Sequence, residues 1–317
     1  MTTVVEPGAP VVEPAPRVVE PDQRRRRNRL RRRNTVSGWT FILPNFVGFA
    51  LLTLVPIIVL FYISFTNWNA FGAADWVGLK NYSRLFKDRS YRVALWNTVY
   101  YTIFHLPLTL AVSLGLSLLL NRKIKGVAFF RTAAFFPYIT SVVAIAIVWN
   151  LLFSPEYGPI NQILSFVGVD NPPRWTVSAD WSMPAIIIVA TWREMGYYMI
   201  LFLAGLQAIP RELYEAARVD GASAWGRFCN VTLPCLRPTT FFVTVMLSIE
   251  SFKVFDLILV MTDGGPGQST YVLSQMIFNK AFVENQFGYA SAVSVSLFVI
   301  CLAITIFQFL INRRGER

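Results

Sequence analysis

Histidine, cysteine and charge are all scarce in this chain, and each shortage removes a class of chemistry. Of 317 residues one is a histidine, His105, and it lies inside an apolar run. A proton relay or a metal site built on imidazole is therefore disfavoured against a hydrogen-bonded packing role. The three cysteines, Cys229, Cys235 and Cys301, show neither metal-ligand spacing nor a disulfide framework. Nowhere does a glycine-rich loop end in Lys-Ser or Lys-Thr, so the chain is not expected to bind ATP. No residue set supports covalent catalysis, and the chain is not expected to be an enzyme. Charged residues make up 15% against 54% hydrophobic, with a mean hydropathy of +0.47, too apolar a balance for a soluble protein.

What is plentiful is long apolar sequence. Six runs carry almost no charge: Thr40 to Phe65, Val93 to Asn121, Thr132 to Phe153, Met183 to Ala208, Pro238 to Thr262 and Phe287 to Asn312. At about 1.5 Å per helical residue each outreaches the roughly 30 Å hydrocarbon core of a bilayer. The expected fold is all-α, a polytopic membrane protein with six transmembrane helices in residues 40–312. Residues 1–39 form a Pro-, Val- and Glu-rich and then Arg-rich arm without apolar periodicity, expected to be disordered, and 313–317 a short tail. The first apolar run is too long for a signal-peptide core and lacks a cleavage site of small residues, so it is expected to stay as a span.

Lysine and arginine set the orientation. Nine precede the first span, four lie between Arg122 and Arg131, four between Arg211 and Arg237 and three in the tail, twenty on one face. Five between Lys80 and Arg92, with Arg174 and Lys280, put seven on the other, and two lie inside spans. The basic face, with both termini, is expected to be cytoplasmic. The net charge of +11 is then a topological signal and an attraction to anionic membrane lipid, not a nucleic-acid footprint.

Between the fourth and fifth runs, at about 209–237, lies a polar interruption that reads as a helix, a glycine break and a second piece ending at proline. Small residues Ala216, Ala217, Gly221 and Ala222 permit close approach of another surface, and Glu212, Glu215, Arg218 and Asp220 surround them with polar anchors. An ordinary amphipathic loop helix is the plain alternative. The pattern Glu215-Ala-Ala-Arg-Val-Asp-Gly-Ala222, followed by Phe228 and Leu233-Pro234, resembles the cytoplasmic EAA loop of permease subunits in binding-protein-dependent ABC importers. Three more patches resemble the carbohydrate-uptake branch, related to the maltose permeases: Val77-Gly-Leu-Lys-Asn-Tyr82 with Asn97-Thr98, Tyr157 to Leu164 continuing to Trp175, and Met261 to Gly267. The second of these also reads as a short interfacial helix with Ile160, Ile163, Leu164 and Val167 on one face.

The resemblance implies a type I importer permease in a bacterial cytoplasmic (inner) membrane. It implies a second homologous permease chain, two ATPase subunits carrying the ATP and magnesium, an extracytoplasmic sugar-binding protein and a sugar cargo. It places Glu215 at the motif's core, where the acid would meet a basic residue of the ATPase. A charge-assisted contact of that kind strengthens docking by roughly 1.5–3 kcal/mol.

A cargo path is argued from polarity at membrane depth, where charge is costly unless it meets partners or water. Two clusters qualify: Trp192, Arg193 and Glu194 with Tyr197 and Tyr198 in the fourth run, and Glu250, Phe252, Lys253, Phe255 and Asp256 in the fifth. On continuous helices each cluster would share a face, Glu250, Lys253 and Asp256 at i, i+3 spacing. Rings beside carboxylates suit a sugar, and three acids against two bases favour a neutral saccharide. Internal salt bridging that holds the bundle together stands beside that reading. Rival cargoes are glycerol phosphate or a polyamine; an ion-coupled secondary transporter or a membrane enzyme would leave the loop unexplained.

Overall fold

The computed structural model describes residues 39–122 and 125–314. The expected arm, through residue 38, and the end of the tail lie outside the described residues. The chain divides into two compact units, one up to Val59 and one from Leu60 onward. Helix α1 (Trp39–Ser64), of membrane length and with no buried residue in its apolar window, begins in the first unit and has its last turn in the second. A π-helical turn, Ala50–Leu54, interrupts it just ahead of Pro56. Proline lacks the N–H that would bond four residues back and its ring crowds that carbonyl, and widening the preceding turn accommodates both faults.

The second unit contains α2 (Lys80–Lys87), α3 (Arg89–Leu120), α4 (Val127–Ile139), α5 (Val142–Leu152), α6 (Pro159–Phe166), α7 (Ala179–Gln207) and α8 (Arg211–Val219). After them come α9 (Ala224–Phe252), α10 (Asp256–Met261), α11 (Leu273–Phe278) and α12 (Phe287–Arg314). Among the described residues there is no strand, only an isolated bridge between Thr66 and Trp76. Five helices, α1, α3, α7, α9 and α12, are each long and apolar enough to cross a bilayer.

The centre of the unit is the pair α3 and α7, packed along most of their lengths. The face α3 turns inward is hydroxylated, with Thr98, Thr102, Thr109, Ser113 and Ser117 all buried. Thr98 and Thr102 donate to carbonyls four residues back, and the Thr109 hydroxyl meets that of Thr191 on α7 at 3.1 Å. Small polar residues that satisfy themselves in this way let helices approach closely where no hydrophobic force acts between them. Gly196 takes this furthest, because a Cβ there would run into the backbone of Ala134 on α4.

Two expected spans are not single helices. The run Thr132 to Phe153 breaks between α4 and α5, whose axes turn by 100°. Thr140 is extended and Ser141 is non-helical, and the Thr140 hydroxyl donates to the Phe136 carbonyl, so local side-chain bonding replaces the next helical turn. The run Pro238 to Thr262 stops at Phe252 and resumes at Asp256. Glu250, Lys253 and Asp256 therefore do not ride on one helix, which corrects the i, i+3 reading. The acid that opens α10 suits the positive end of its dipole. At its other end α9 begins well before Pro238 and contains a second π-helical turn, Phe228–Thr232, again just ahead of a proline, Pro234.

The short helix α6 forms within the second patch. Ile160 and Leu164 pack on the main core, whereas Ile163 and Val167 are exposed. Its register is held by Asn161, which donates to the Pro173 carbonyl and accepts from the Trp175 indole at 2.8 Å.

The helix ends collect at two levels. Gly288 N–H bonds the Trp68 carbonyl, Asn97 donates to the carbonyls of Gln268 and Tyr271, and Tyr289 donates to Asp88, tying together the starts of α3 and α12 and the loops beside them. At the opposite level α3 ends, its Leu120 carbonyl accepting from Arg131, and α7 runs into α8.

Candidate functional site

A cavity of about 190 Å³ opens where α3, α5, α7, α9 and the break before α10 meet. Arg193, Glu194, Glu250, Lys253, Phe255 and Asp256 line it, so six of the ten expected path residues converge although they come from separate elements. Trp192, Tyr197, Tyr198 and Phe252 do not line it. Trp192 packs edge-on against Trp149, Tyr198 is buried in a second core cluster, and Phe252 is buried with its ring directed to the other side of α9. Tyr197 acts at one remove: it stacks on Tyr138 of α4 at 4.5 Å, and the Arg193 guanidinium lies over the same Tyr138 ring at 5.6 Å.

Six wall residues fell outside the expected path, and two of them, Tyr101 and His105 on α3, carry polar side chains. Tyr101 is fully buried and its ring stacks on His105 at 4.8 Å. His105 has the hydrogen-bonded packing role read from its position, Nδ1 meeting the Ser251 hydroxyl at 3.0 Å. Its other nitrogen faces Glu194 Oε2 at 3.7 Å. The only cue in sequence was polarity at membrane depth, which His105 shares with the charged clusters.

The ion pairs are loose. Arg193 and Glu194 approach to 3.6 Å and Glu250 and Lys253 to 3.4 Å, the latter with both side chains more than half exposed. An exposed pair of that geometry contributes little to stability. Meanwhile His105 Nε2, Arg193 Nε and Glu194 Oε2 are buried without a hydrogen-bond partner among the described residues. Buried polar atoms are normally satisfied, and two of these three, His105 Nε2 and Glu194 Oε2, face each other across 3.7 Å, so the polarity behind this wall is only loosely paired within the fold.

The polar interruption is built differently. α8 ends in a paired turn: Gly221 N–H bonds the Arg218 carbonyl and Ala222 N–H the Ala217 carbonyl, with Gly221 at φ +75°. That closure needs a left-handed residue after the helix, which glycine supplies without steric cost. Ser223 then caps the next helix by accepting from Gly226 N–H, Arg227 donates to the Ala222 carbonyl, and Tyr214 reaches Thr232 at 3.0 Å. The result is a stiff bracket. Glu212, Glu215, Ala216, Asp220, Leu233 and Pro234 are exposed on it, Ala217, Ala222 and Phe228 half-buried, and α8 has no buried residue. Among the described residues none of its three acids is in an ion pair.

Membrane-length apolar helices around a charged cavity, with an exposed helical bracket at one end, define a polytopic membrane permease. The chain belongs to the binding-protein-dependent transport system inner membrane component family, whose model matches residues 108–317, and it is a permease of the carbohydrate ABC importer branch. A trehalose/maltose transport system permease of Thermococcus litoralis is 33% identical over 287 residues, covering 90% of this chain and 97% of that protein. An sn-glycerol-3-phosphate transport system permease of Agrobacterium fabrum is 34% identical over 282 residues, covering 87% and 94%. A solved bacterial alginate ABC transporter, in complex with an alginate pentasaccharide-bound periplasmic protein, contains a chain that superposes with a TM-score of 0.78 at 25% identity, covering 90% of this chain and 96% of that one.

Proposed function

We propose that this chain forms one half of the translocation path for a neutral mono- or oligosaccharide, crossing a bacterial cytoplasmic membrane six times with both termini inside. The broken pair α4 and α5 counts as one crossing in this reading, within a permease domain of residues 40–312 preceded by the arm of 1–39. A second homologous permease completes the path, an extracytoplasmic sugar-binding protein delivers the cargo, and two ATPase subunits bind ATP and magnesium. The bracket within 209–237 docks on an ATPase subunit, with Glu215 as its charged contact and Gly221 setting the angle between its helices.

The observation that carries the cargo assignment is the convergence of Arg193, Glu194, Glu250, Lys253 and Asp256 on one cavity whose buried polar atoms lack partners. Hydroxyl groups, each both donor and acceptor, suit such a wall. Three carboxylates against two cations repel a phosphorylated cargo, which weighs against the glycerol phosphate carried in the name of one relative. The two breaks nearby leave backbone groups without helical partners, tolerable at membrane depth only beside protein or water.

The test is uptake into proteoliposomes holding the full complex, offered maltose, trehalose, a cello-oligosaccharide series and glycerol 3-phosphate. Saccharide uptake without glycerol 3-phosphate uptake is expected. Uptake of the phosphate ester alone would overturn the neutral-sugar assignment.

A further inference from the structure

Five of the seven Lys and Arg expected on the extracytoplasmic face crowd between Lys80 and Arg92, against the bias that oriented the rest of the chain. The structure gives this cluster a shape. Lys80, Arg84 and Lys87 recur at i, i+4 and i+7 and so share one side of α2, while Asn81 and Leu85 are buried on the other. The three cations line a groove of about 520 Å³ together with Ser83, Asn67 and Asn81. Arg84 is steadied with its guanidinium over the Tyr289 ring at 4.1 Å.

The neighbouring carboxylates have partners other than these three cations. Asp88 accepts from Tyr289 at 2.7 Å, Glu284 is paired with Lys280 at 2.7 Å, and Asp75 is bonded to Asn67. Among the described residues Lys80, Arg84 and Lys87 form no ion pair. The groove lies just beyond Ser64, where α1 ends, and beside the starts of α3 and α12. Ring contacts link Tyr62, Phe65, Trp76 and Tyr82 at this level, an aromatic group of the kind found at the boundary of hydrocarbon and water. Leu79 and Phe86, flanking the cations on the same short segment, are 68% and 76% exposed.

We propose that this groove binds the phosphate of an anionic phospholipid in the leaflet opposite the coupling bracket. Lysine and arginine supply the charge, exposed Ser83 supplies a neutral donor, and Leu79 and Phe86 rest on the acyl chains. An acidic face of a soluble protein would meet the same charge. It has no use for exposed leucine and phenylalanine beside an aromatic boundary, so the lipid is the occupant the surface favours.

The full chain is placed in nanodiscs of phosphatidylcholine doped with phosphatidylglycerol, and lipid retained per chain is read by native mass spectrometry. Wild type should retain phosphatidylglycerol in preference to phosphatidylcholine. Lys80→Gln with Lys87→Gln, which spares the Arg84 contact, should lower that preference about 25-fold, roughly fivefold per charge. Arg89→Gln with Arg92→Gln removes the same charge outside the groove and should lower the preference clearly less than the groove pair does. If the groove pair lowers thermal stability in pure phosphatidylcholine, Lys87→Gln alone reads the same site, at about fivefold. Equal losses in both double variants, or no lipid preference in wild type, overturns the proposal. So does unchanged lipid retention with lost capture of the binding protein, which would assign the groove to a protein partner.

Discussion

The bracket proposed to couple and the cavity proposed to carry cargo are built by opposite means. The bracket is one contiguous stretch, closed by its own caps and turns, with its motif residues exposed and its acids unpaired among the described residues. The cavity draws residues from five helices and a break, and its shape depends on packing far along the chain. A local device tolerates changes to its surface chemistry without losing its form. A distributed one fails when its scaffold moves, even where no lining residue is touched.

The sharpest way to break that contrast is to attack the scaffold. Gly196→Val places side-chain atoms where the Ala134 backbone lies, and overpacking of this kind costs about 3 kcal/mol or more. We expect loss of folded chain on thermal unfolding in detergent, whereas Val219→Ser, on the 88% exposed flank of the bracket, should leave the unfolding midpoint unchanged. Equal stability of the two variants would mean that the cavity is no more dependent on distant packing than the bracket.

Next comes the bracket's chemistry. Glu215→Lys should leave membrane insertion intact and weaken capture of the ATPase subunit about tenfold to a hundredfold, the range for a lost charge-assisted contact. Gly221→Asp forces a side chain into left-handed backbone at a cost of about 1–2 kcal/mol and should uncouple hydrolysis from uptake. Wild-type assembly and uptake in both variants would remove the bracket from the mechanism.

The cavity's own chemistry should give smaller changes. Glu250→Gln keeps the shape and one acceptor, and uptake normalised to assembled complex is expected to fall from a few-fold to about a hundredfold. Because Glu250 and Lys253 are both more than half exposed, the single change should not strand a buried cation, and assembly should hold. Full recovery of uptake in Glu250→Gln with Lys253→Met would assign the pair a structural role.

Topology gives the gentlest test. A cysteine at exposed Asp170 should react with an impermeant reagent from outside, and one at exposed Ser223 only after permeabilisation, with transport unchanged in both. Labelling of Ser223 in intact cells would invert the chain.

The same contrast explains what could be read in advance. The form of the bracket was legible because it is written in consecutive residues: Asp220-Gly221-Ala222 is a helix stop and Ser223 a cap, each a local matter of backbone and hydrogen bonds. Helix ends at Ser64, Leu120, Gln207 and Phe287 lay close to the edges of apolar runs for the same reason. The breaks at Thr140 and after Phe252 were not legible, because hydropathy is blind to backbone direction and Thr-Ser or Val-Phe pairs occur freely inside helices. Nor did spacing along one helix reveal that Trp192 and Phe252 face away from the cavity, or that His105 and Tyr101 on a different helix complete its wall. Faces can be counted along a sequence only while the helix continues.

The contact at Gly196 also has a mechanical meaning. With only a hydrogen at that position, α7 and the Ala134 turn of α4 meet backbone to backbone, leaving no flexible side chain to absorb sliding between them. α7 leads through Ile209 and Pro210 into the bracket, so under the proposed coupling role a push delivered there would pass along α7 to α4. Play between the two would then be taken up where α4 stops, at Thr140 and Ser141, beyond which α5 departs at 100°. On that proposal the corner would serve as the hinge, with Tyr138, two residues before it, carrying the ring over which Arg193 lies.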